Sequence, residues 1–328
     1  MQSGVPIVFG VDVEPDIRPT GRREPIGLDG FAACIEWLED LRPRLEDATG
    51  HPVRFTWFLR MDPQIEVLAG RADALAASAL AELAWLRDRG DSLGLHTHAG
   101  RWDEVRDGWV ADHGDPEWVA HCVRTAFASY AETFGEPCLR HRFGDRFTSP
   151  AALDLIGSLG ARVDLTIEPG KPRTARVDVT AAATGEIPSS LHLRSEPIRH
   201  ASSDMWLLPL TSGDPGPALP RPIRLARRLR FAGQPLHRPL TLYRRYTSPD
   251  AYWDVVERAV ADQPVPYVAL VIRSDLPLGP EMEFAGPIMA ALLRRPLARR
   301  LQFADPVQVV ANVASPDAAA ATAELAVA

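Results

Sequence analysis

The stretch VFGVDVEPD, Val8 to Asp16, decides how this chain folds: an apolar run ends in three carboxylates, Asp12, Glu14 and Asp16, within five positions. PIVFGVDV reads as a buried strand. Alternation along it puts Asp12 and Glu14 on one face, away from Val11 and Val13. Carboxylates at the end of a buried strand are costly unless something compensates them. One reading is a bound cation. The other is that the three carboxylates cap a neighbouring helix or pair with Arg18, Arg22 and Arg23.

Working outward, short apolar runs alternate with longer amphipathic segments, the pattern of βα units around a parallel sheet or barrel. LDGFAACIEWLEDLRPRLEDATG is a helix, with Phe31, Cys34, Ile35, Leu38 and Leu41 at three- to four-residue spacing and Gly50 just past its end. VRFTWFLR is a second strand, DALAASALAELAWLRDRG a second helix closed by Gly90, and SLGLHTH a third strand, followed by a loop rich in charge and tryptophan. Asp115 and Pro116 open a further helix, PEWVAHCVRTAFASYAETFG. LRHRF is a strand, SPAALDLIGSLG a helix capped by Ser149, and ARVDLTIEPG another strand. At least five such repeats precede residue 171.

From about 171 to 238 the periodicity weakens and prolines accumulate, as in an irregular insertion. Regularity returns with LTLYRRY, the helix SPDAYWDVVERAVAD, the strand YVALVIRS, the helical PIMAALLRRPLARRL and a last strand, PVQVVANV. Residues 1–312 read as one domain and the alanine-rich 313–328 as a flexible tail.

Two histidines, His96 and His98 in GLHTHAG, share a face at the end of the third strand. If both strands belong to one parallel barrel, their C-terminal ends lie at one rim, where such barrels carry their active sites. Two imidazoles and one or two carboxylates then converge, the ligand set of a catalytic Zn²⁺-type centre with positions left for water.

Several segments together resemble the polysaccharide deacetylase superfamily, also described as the NodB-homology or carbohydrate esterase family 4 group. They are VDVEPD, GDSLGLHTHAGRW, LRHRFGDRFTSPAALDLIGSLGARVDLTIEPG and YVALVIRSDLP, in the family's order. The resemblance implies a distorted (β/α)7 barrel and a metal-dependent hydrolase that removes an acetyl group from a sugar or sugar conjugate. It implies Asp12 as general base, Glu14, His96 and His98 as ligands of a divalent metal, Zn²⁺ in type, and Arg140 as the arginine that holds Asp12. The family's usual histidine spacing is H-[ST]-x-x-H, longer than the H-x-H here.

Members typically carry a histidine at the end of the late strand to protonate the leaving amine; VIRSD places Arg273 or Ser274 there. Arginine, with a pKa above about 12, is no general acid near neutral pH. Three readings stay open: another histidine, His192 or His200, supplies the proton; the substrate is an O-acetyl ester whose alkoxide pairs with Arg273; or the chain is a catalytically inactive, glycan-binding relative. Trp102, Trp109 and Trp118 flank the histidine loop, and Trp102 is a candidate for stacking on a sugar. Arg142 lies two residues beyond Arg140 on the same face, facing either an anionic substrate group or a structural ion pair.

A net charge of −7 argues against a general nucleic-acid binder. Three widely spaced cysteines, Cys34, Cys122 and Cys138, read as buried thiols. There is no basic, apolar leader and no stretch near the roughly 20 apolar residues of a membrane span, so a cytoplasmic location is expected. Eight arginines within residues 221–245 make either a solvated face or a basic patch for a nucleotide sugar or lipid-linked saccharide at a membrane surface.

Overall fold

The computed structural model describes residues 4–16, 19–169, 196–214, 218–222, 225, 238–242 and 246–313. The strands are β1 (Val5–Val13), β2 (Thr56–Arg60), β3 (Ser92–Thr97), β4 (Gly100–Asp103), β5 (Gly108–Ala111), β6 (Arg140–Phe143), β7 (Val163–Asp164), β8 (Ile198–Arg199), β9 (Trp206–Leu207), β10 (Ser212–Gly213), β11 (Arg238–Pro239), β12 (Val268–Arg273) and β13 (Leu301–Phe303). The main sheet runs β12-β1-β2-β3-β6-β7-β9, each neighbour parallel to the next. These strands are the staves of a distorted (β/α)7 barrel, with β8 added antiparallel to β9.

The barrel's seam is crossed by the chain leaving β9. Leu210 N–H donates to Ile167 O at 2.8 Å, beyond β7, and Thr211 N–H donates to Ala269 O at 2.9 Å, on β12. Ala269 N–H returns a hydrogen bond to Thr211 Oγ1 at 2.8 Å. A seventh stave therefore lies inside the stretch whose sequence reads as an irregular insertion. Two residues of strand between Pro197 and Pro209 are too short a signal for period-2 alternation.

Alternation sorts the side chains into two cores. Ile7, Phe9 and Val11 of β1 point outward beneath the helices, with Trp57, Leu93 and Leu95. Val8, Phe58, Val163, Leu208, Tyr267 and Ala269 fill the barrel. The Phe58 ring needs small neighbours: a Cβ on Gly10 would lie 2.9 Å from it, and one on Gly94 2.8 Å. Both positions are glycine because a ring occupies their side-chain space.

The helices are α1 (Asp29–Thr49), α2 (Pro63–Ala69), α3 (Ala74–Ser78), α4 (Leu80–Asp88), α5 (Pro116–Phe134), α6 (Pro150–Ser158), α7 (Pro249–Ala261), α8 (Met282–Leu292) and α9 (Pro306–Val313). Asp115 caps α5 by accepting from Glu117 N–H and Trp118 N–H, and Ser149 caps α6 through Ala152 N–H. The buried stripe of α5 is Val119, Cys122, Val123, Ala126, Phe127 and Tyr130, the spacing of one helical face.

Three expectations need correction. DALAASALAELAWLRDRG forms two helices, α3 and α4, broken at Ala79, whose φ of −127° leaves the helical region. PVQVVANV is helix α9 rather than a strand; Asp305 before Pro306 accepts from Val307 N–H at 2.8 Å. Val309 and Val310 of that helix plug the N-terminal end of the barrel. The loop after the histidines holds the antiparallel pair β4 and β5, with Trp102 opposite Trp109.

Cys34, Cys122 and Cys138 are buried thiols, and burial pushes Cys138 up to about 12. No helix among the described residues is long and apolar enough to cross a membrane. Most of 171–238, the arginine run of 221–245 apart from a few positions, His192 and the tail from 314 lie outside the described residues.

Candidate metal centre

The C-terminal end of β1 is bracketed by the residue that follows β12. Ser274 N–H donates to Asp12 O at 2.9 Å. Its Oγ accepts from Glu14 N–H at 3.0 Å and donates to Glu14 O at 3.3 Å. Ser274, which with Arg273 stands where the family carries its late-strand histidine, is buried and fixes where the two carboxylates emerge. Arg273, the last residue of β12, borders the same rim and pairs with Asp275 through Nε (3.0 Å) and Nη2 (2.6 Å).

Glu14, His96 and His98 meet at this rim. Glu14 Oε1 lies 3.0 Å from His96 Nε2 and 3.2 Å from His98 Nε2, and the two Nε2 atoms are 2.9 Å apart. His98 Nδ1 lies 3.2 Å from Asp145 Oδ2, and His96 Nδ1 faces Asp12 Oδ1 at 3.7 Å. Each ring therefore shows one nitrogen to a carboxylate and the other to the cluster, as metal-ligating histidines do. With Nδ1–H turned to the carboxylates, three lone pairs converge with no proton between them. Metal arms of about 2.0–2.2 Å set tetrahedral ligand atoms roughly 3.3 Å apart, close to the spacing found, so the donor set fits a divalent cation.

The surrounding charges agree with that. Burial alone would raise the Glu14 carboxyl, but His98, Arg60 and the hydrogen bonds of both imidazoles hold it well below the usual carboxylate range. Burial and Arg60 act to lower His98, yet Glu14 and Asp145 outweigh them and push it up to about 9.

Asp12 is gripped by an arginine, but the arginine is Arg142. Arg142 Nε donates to Asp12 Oδ2 at 3.1 Å, Nη1 to Leu165 O at 2.8 Å and Nη2 to Glu168 Oε1 at 2.8 Å. Arg140, expected in that role, instead makes a bidentate pair with Asp305 at the plugged end and reaches Leu93 O at 3.4 Å. Both arginines are on the inner face of β6. Barrel strands tilt, and two residues along a strand move a side chain by about 6.6 Å, enough to place the two at opposite ends. Asp12 Oδ1 and His96 Nδ1 are buried with no hydrogen-bond partner.

Asp16 does not join the cluster. Its carboxylate accepts from Asp29 N–H (2.8 Å) and Gly30 N–H (2.7 Å), satisfying the first turn of α1. Helix capping, one of the two readings open in the sequence, describes this third carboxylate and not the other two.

A cavity of about 130 Å³ opens beside the cluster, bordered by Glu14, His98, Arg60, Asp145, Trp109 and Arg273. Trp109 borders it, and Trp102 packs edge-on behind, ring centroids 5.4 Å apart. Trp118 is tied to Ala99 O at 3.2 Å. His200 sits at the other end of the barrel, in the β8–β9 turn beside Ser203.

Sequence reasoning missed Arg60, Asp62, Asp145 and Glu168. Arg60 Nη1 donates to Glu14 Oε2 at 2.9 Å while its Nε and Nη2 hold Asp62, which caps α2 and accepts from His98 N–H at 3.2 Å. A signal existed: Arg60 and Asp62 end the second strand at the same rim as Glu14 and the histidines.

No family model matches the chain, and no curated protein matches it. Solved structures similar to it include a family 4 acetyl xylan esterase from Clostridium thermocellum in complex with a cobalt ion (TM-score 0.44, 10% identity, 95% of this chain and 93% of that one). Others are the peptidoglycan deacetylase PdaC of Bacillus subtilis (0.38, 10%, 94% and 91%) and a CE4 family pseudoenzyme from Bacillus anthracis (0.41, 8%, 92% and 64%). The esterase and the pseudoenzyme are described as family 4 or CE4, the group whose motifs this sequence resembles.

Proposed function

We propose that the protein is a metal-dependent deacylase that removes an N-acetyl or O-acetyl group from a sugar or sugar conjugate. The observation that carries this reading is the convergence of Glu14 Oε1, His96 Nε2 and His98 Nε2 beside the unpartnered Oδ1 of Asp12. Glu14, His96 and His98 would hold a divalent cation, Zn²⁺ in type. Such a cation supplies Lewis acidity toward an acyl oxygen and toward water.

Asp12 is the base. Arg142 fixes its Oδ2, leaving Oδ1 to accept the proton of the attacking water. Glu168 and Leu165 O lock Arg142 from behind, so the carboxylate keeps its aim. Arg142 is engaged on all sides by protein and serves Asp12 rather than substrate. Trp109, with Trp102 behind it, and Arg273 border the space a sugar would enter. Water oxygen bonds to the acyl carbon, the acyl C–N or C–O bond breaks, acetate leaves, and the proton that Asp12 took from the water passes to the departing amine or alkoxide oxygen, the latter paired with Arg273.

Arg273, salt-bridged to Asp275, and Ser274 stand where an acid would be needed, and neither is one; this favours a second reading: a catalytically silent barrel that binds a glycan. The deacylase reading extends to a cytoplasmic substrate, a nucleotide sugar or a lipid-linked saccharide, with the 221–245 arginines meeting an anionic membrane. Salt-dependent binding to anionic vesicles tests that extension. The central test is metal content by elemental analysis for wild type, His96→Ala and Glu14→Ala, with acetate release from acetamido and acetoxy sugars on the same samples. Near-stoichiometric metal lost in both variants, with acetate released by the wild type, supports the enzyme. Metal without turnover supports the silent binder, and no metal after zinc reconstitution overturns both the cofactor and the chemistry.

A further inference from the structure

The two histidines are held by different means. His96 is inside β3, paired with Arg60 of β2 on one side and Arg142 of β6 on the other. His98 lies past the last residue of β3, where no ladder fixes it, and its main chain is tied by a single N–H to Asp62. Its ring is nevertheless enclosed by the turn after β6. A Cβ on Gly144 would stand 2.1–2.3 Å from three atoms of the His98 ring, so the ring lies directly on the glycine backbone. The next residue, Asp145, turns its carboxylate to His98 Nδ1 at 3.2 Å.

That turn is strained. Asp145 and Arg146 have φ of 52° and 60°, two successive non-glycine residues in the left-handed region. Such conformations persist where surrounding structure over-determines them, and they cluster at functional sites. Phe147 anchors the far side by stacking on His113 at 4.4 Å, and His113 Nε2 approaches the same Asp145 Oδ2 at 3.9 Å.

We infer that Asp145 is a positioning residue for the second metal ligand: the Gly144–Arg146 turn is a clamp that substitutes for the missing strand pairing and aims His98 Nε2 at the cluster. The inference rests on the metal reading above. It also accounts for how a histidine two residues beyond its partner, at a spacing shorter than H-x-x-x-H, is held in place.

The test is zinc affinity of the purified protein by competition with a chromophoric chelator, together with the unfolding temperature of the metal-free forms. Asp145→Gly removes the carboxylate at a backbone conformation glycine adopts freely, and Asp145→Asn keeps an acceptor on a residue tolerant of the left-handed region. The expected result is zinc binding weakened about 10- to 100-fold in Asp145→Gly and by a smaller factor in Asp145→Asn, with unfolding temperatures of the metal-free variants at or above wild type. A purely structural role would lower the unfolding temperature and leave affinity alone. Wild-type affinity in both variants overturns the clamp while the metal reading stands, and no zinc binding by the wild type overturns the metal reading itself. Should Asp145→Gly fail to fold, Asp145→Asn decides alone: affinity unchanged within twofold overturns the inference.

Discussion

The two ends of the barrel interior are built from the same strands and could hardly differ more. At the N-terminal end Val309 and Val310 close a plug of apolar side chains, and Arg140 on the inner face of β6 is neutralised by Asp305. At the C-terminal end β1, β2, β3 and β6 deliver Asp12, Glu14, Arg60, His96 and Arg142, with Glu168 beyond β7. One end buries charge in a single closed pair. The other gathers several charges and imidazoles and leaves Asp12 Oδ1 and His96 Nδ1 buried without hydrogen-bond partners. These two atoms face each other at 3.7 Å, at the end where the proposed chemistry would take place.

The largest expected effect strikes that unsatisfied atom. Asp12→Asn should cut acetate release about 10²- to 10⁴-fold while metal content stays at the wild-type level, since the three ligands remain. Unchanged turnover would move the base elsewhere. Next comes Arg142→Met, which leaves Asp12 buried without that guanidinium. Losing one partner of a buried pair costs about 3–5 kcal/mol, to be read from urea unfolding, and turnover should fall with it. Arg140→Met is the matched change at the plugged end. Asp305 keeps its hydrogen bond from Val307 N–H, so the loss should be about 1–3 kcal/mol with turnover retained. If Arg140→Met abolishes turnover and Arg142→Met does not, the sequence-based assignment of Arg140 is restored and the comparison of the two ends fails. The smallest effect is expected at the rim of the plugged end, where Arg87 and Glu136 are half exposed at 2.9 Å. Arg87→Ala should cost about 0.2–1 kcal/mol, vanishing in high salt.

Long, periodic elements were legible in the sequence. α1 and α5 each show an apolar stripe, and α5 and α6 announce their starts through Asp115-Pro116 and Ser149-Pro150, which the structure uses as caps. Short apolar runs were not. PVQVVANV has no period that separates strand from helix, and only the preceding Asp-Pro, an N-cap signal, pointed to α9. The break at Ala79 has no local cause in a run of alanines and leucines, where helix propensity is high throughout. β9 was hidden because two residues of strand in a proline-rich region carry no alternation to detect.

Within the site, residue types and their ends of strands were readable, while partnerships were not. DVE and HTH at the ends of two strands named Asp12, Glu14, His96 and His98 together, and parallel pairing brings strand ends to one rim. The sequence by itself determined which residues reach the C-terminal rim, because alternation and strand direction are local properties of the backbone. Only the tertiary structure decided that Arg142 rather than Arg140 grips Asp12, that Arg60 holds Glu14 and that Asp145 meets His98. Those contacts depend on barrel tilt and on how loops far apart in the chain fold over the rim, and neither leaves a period in the sequence.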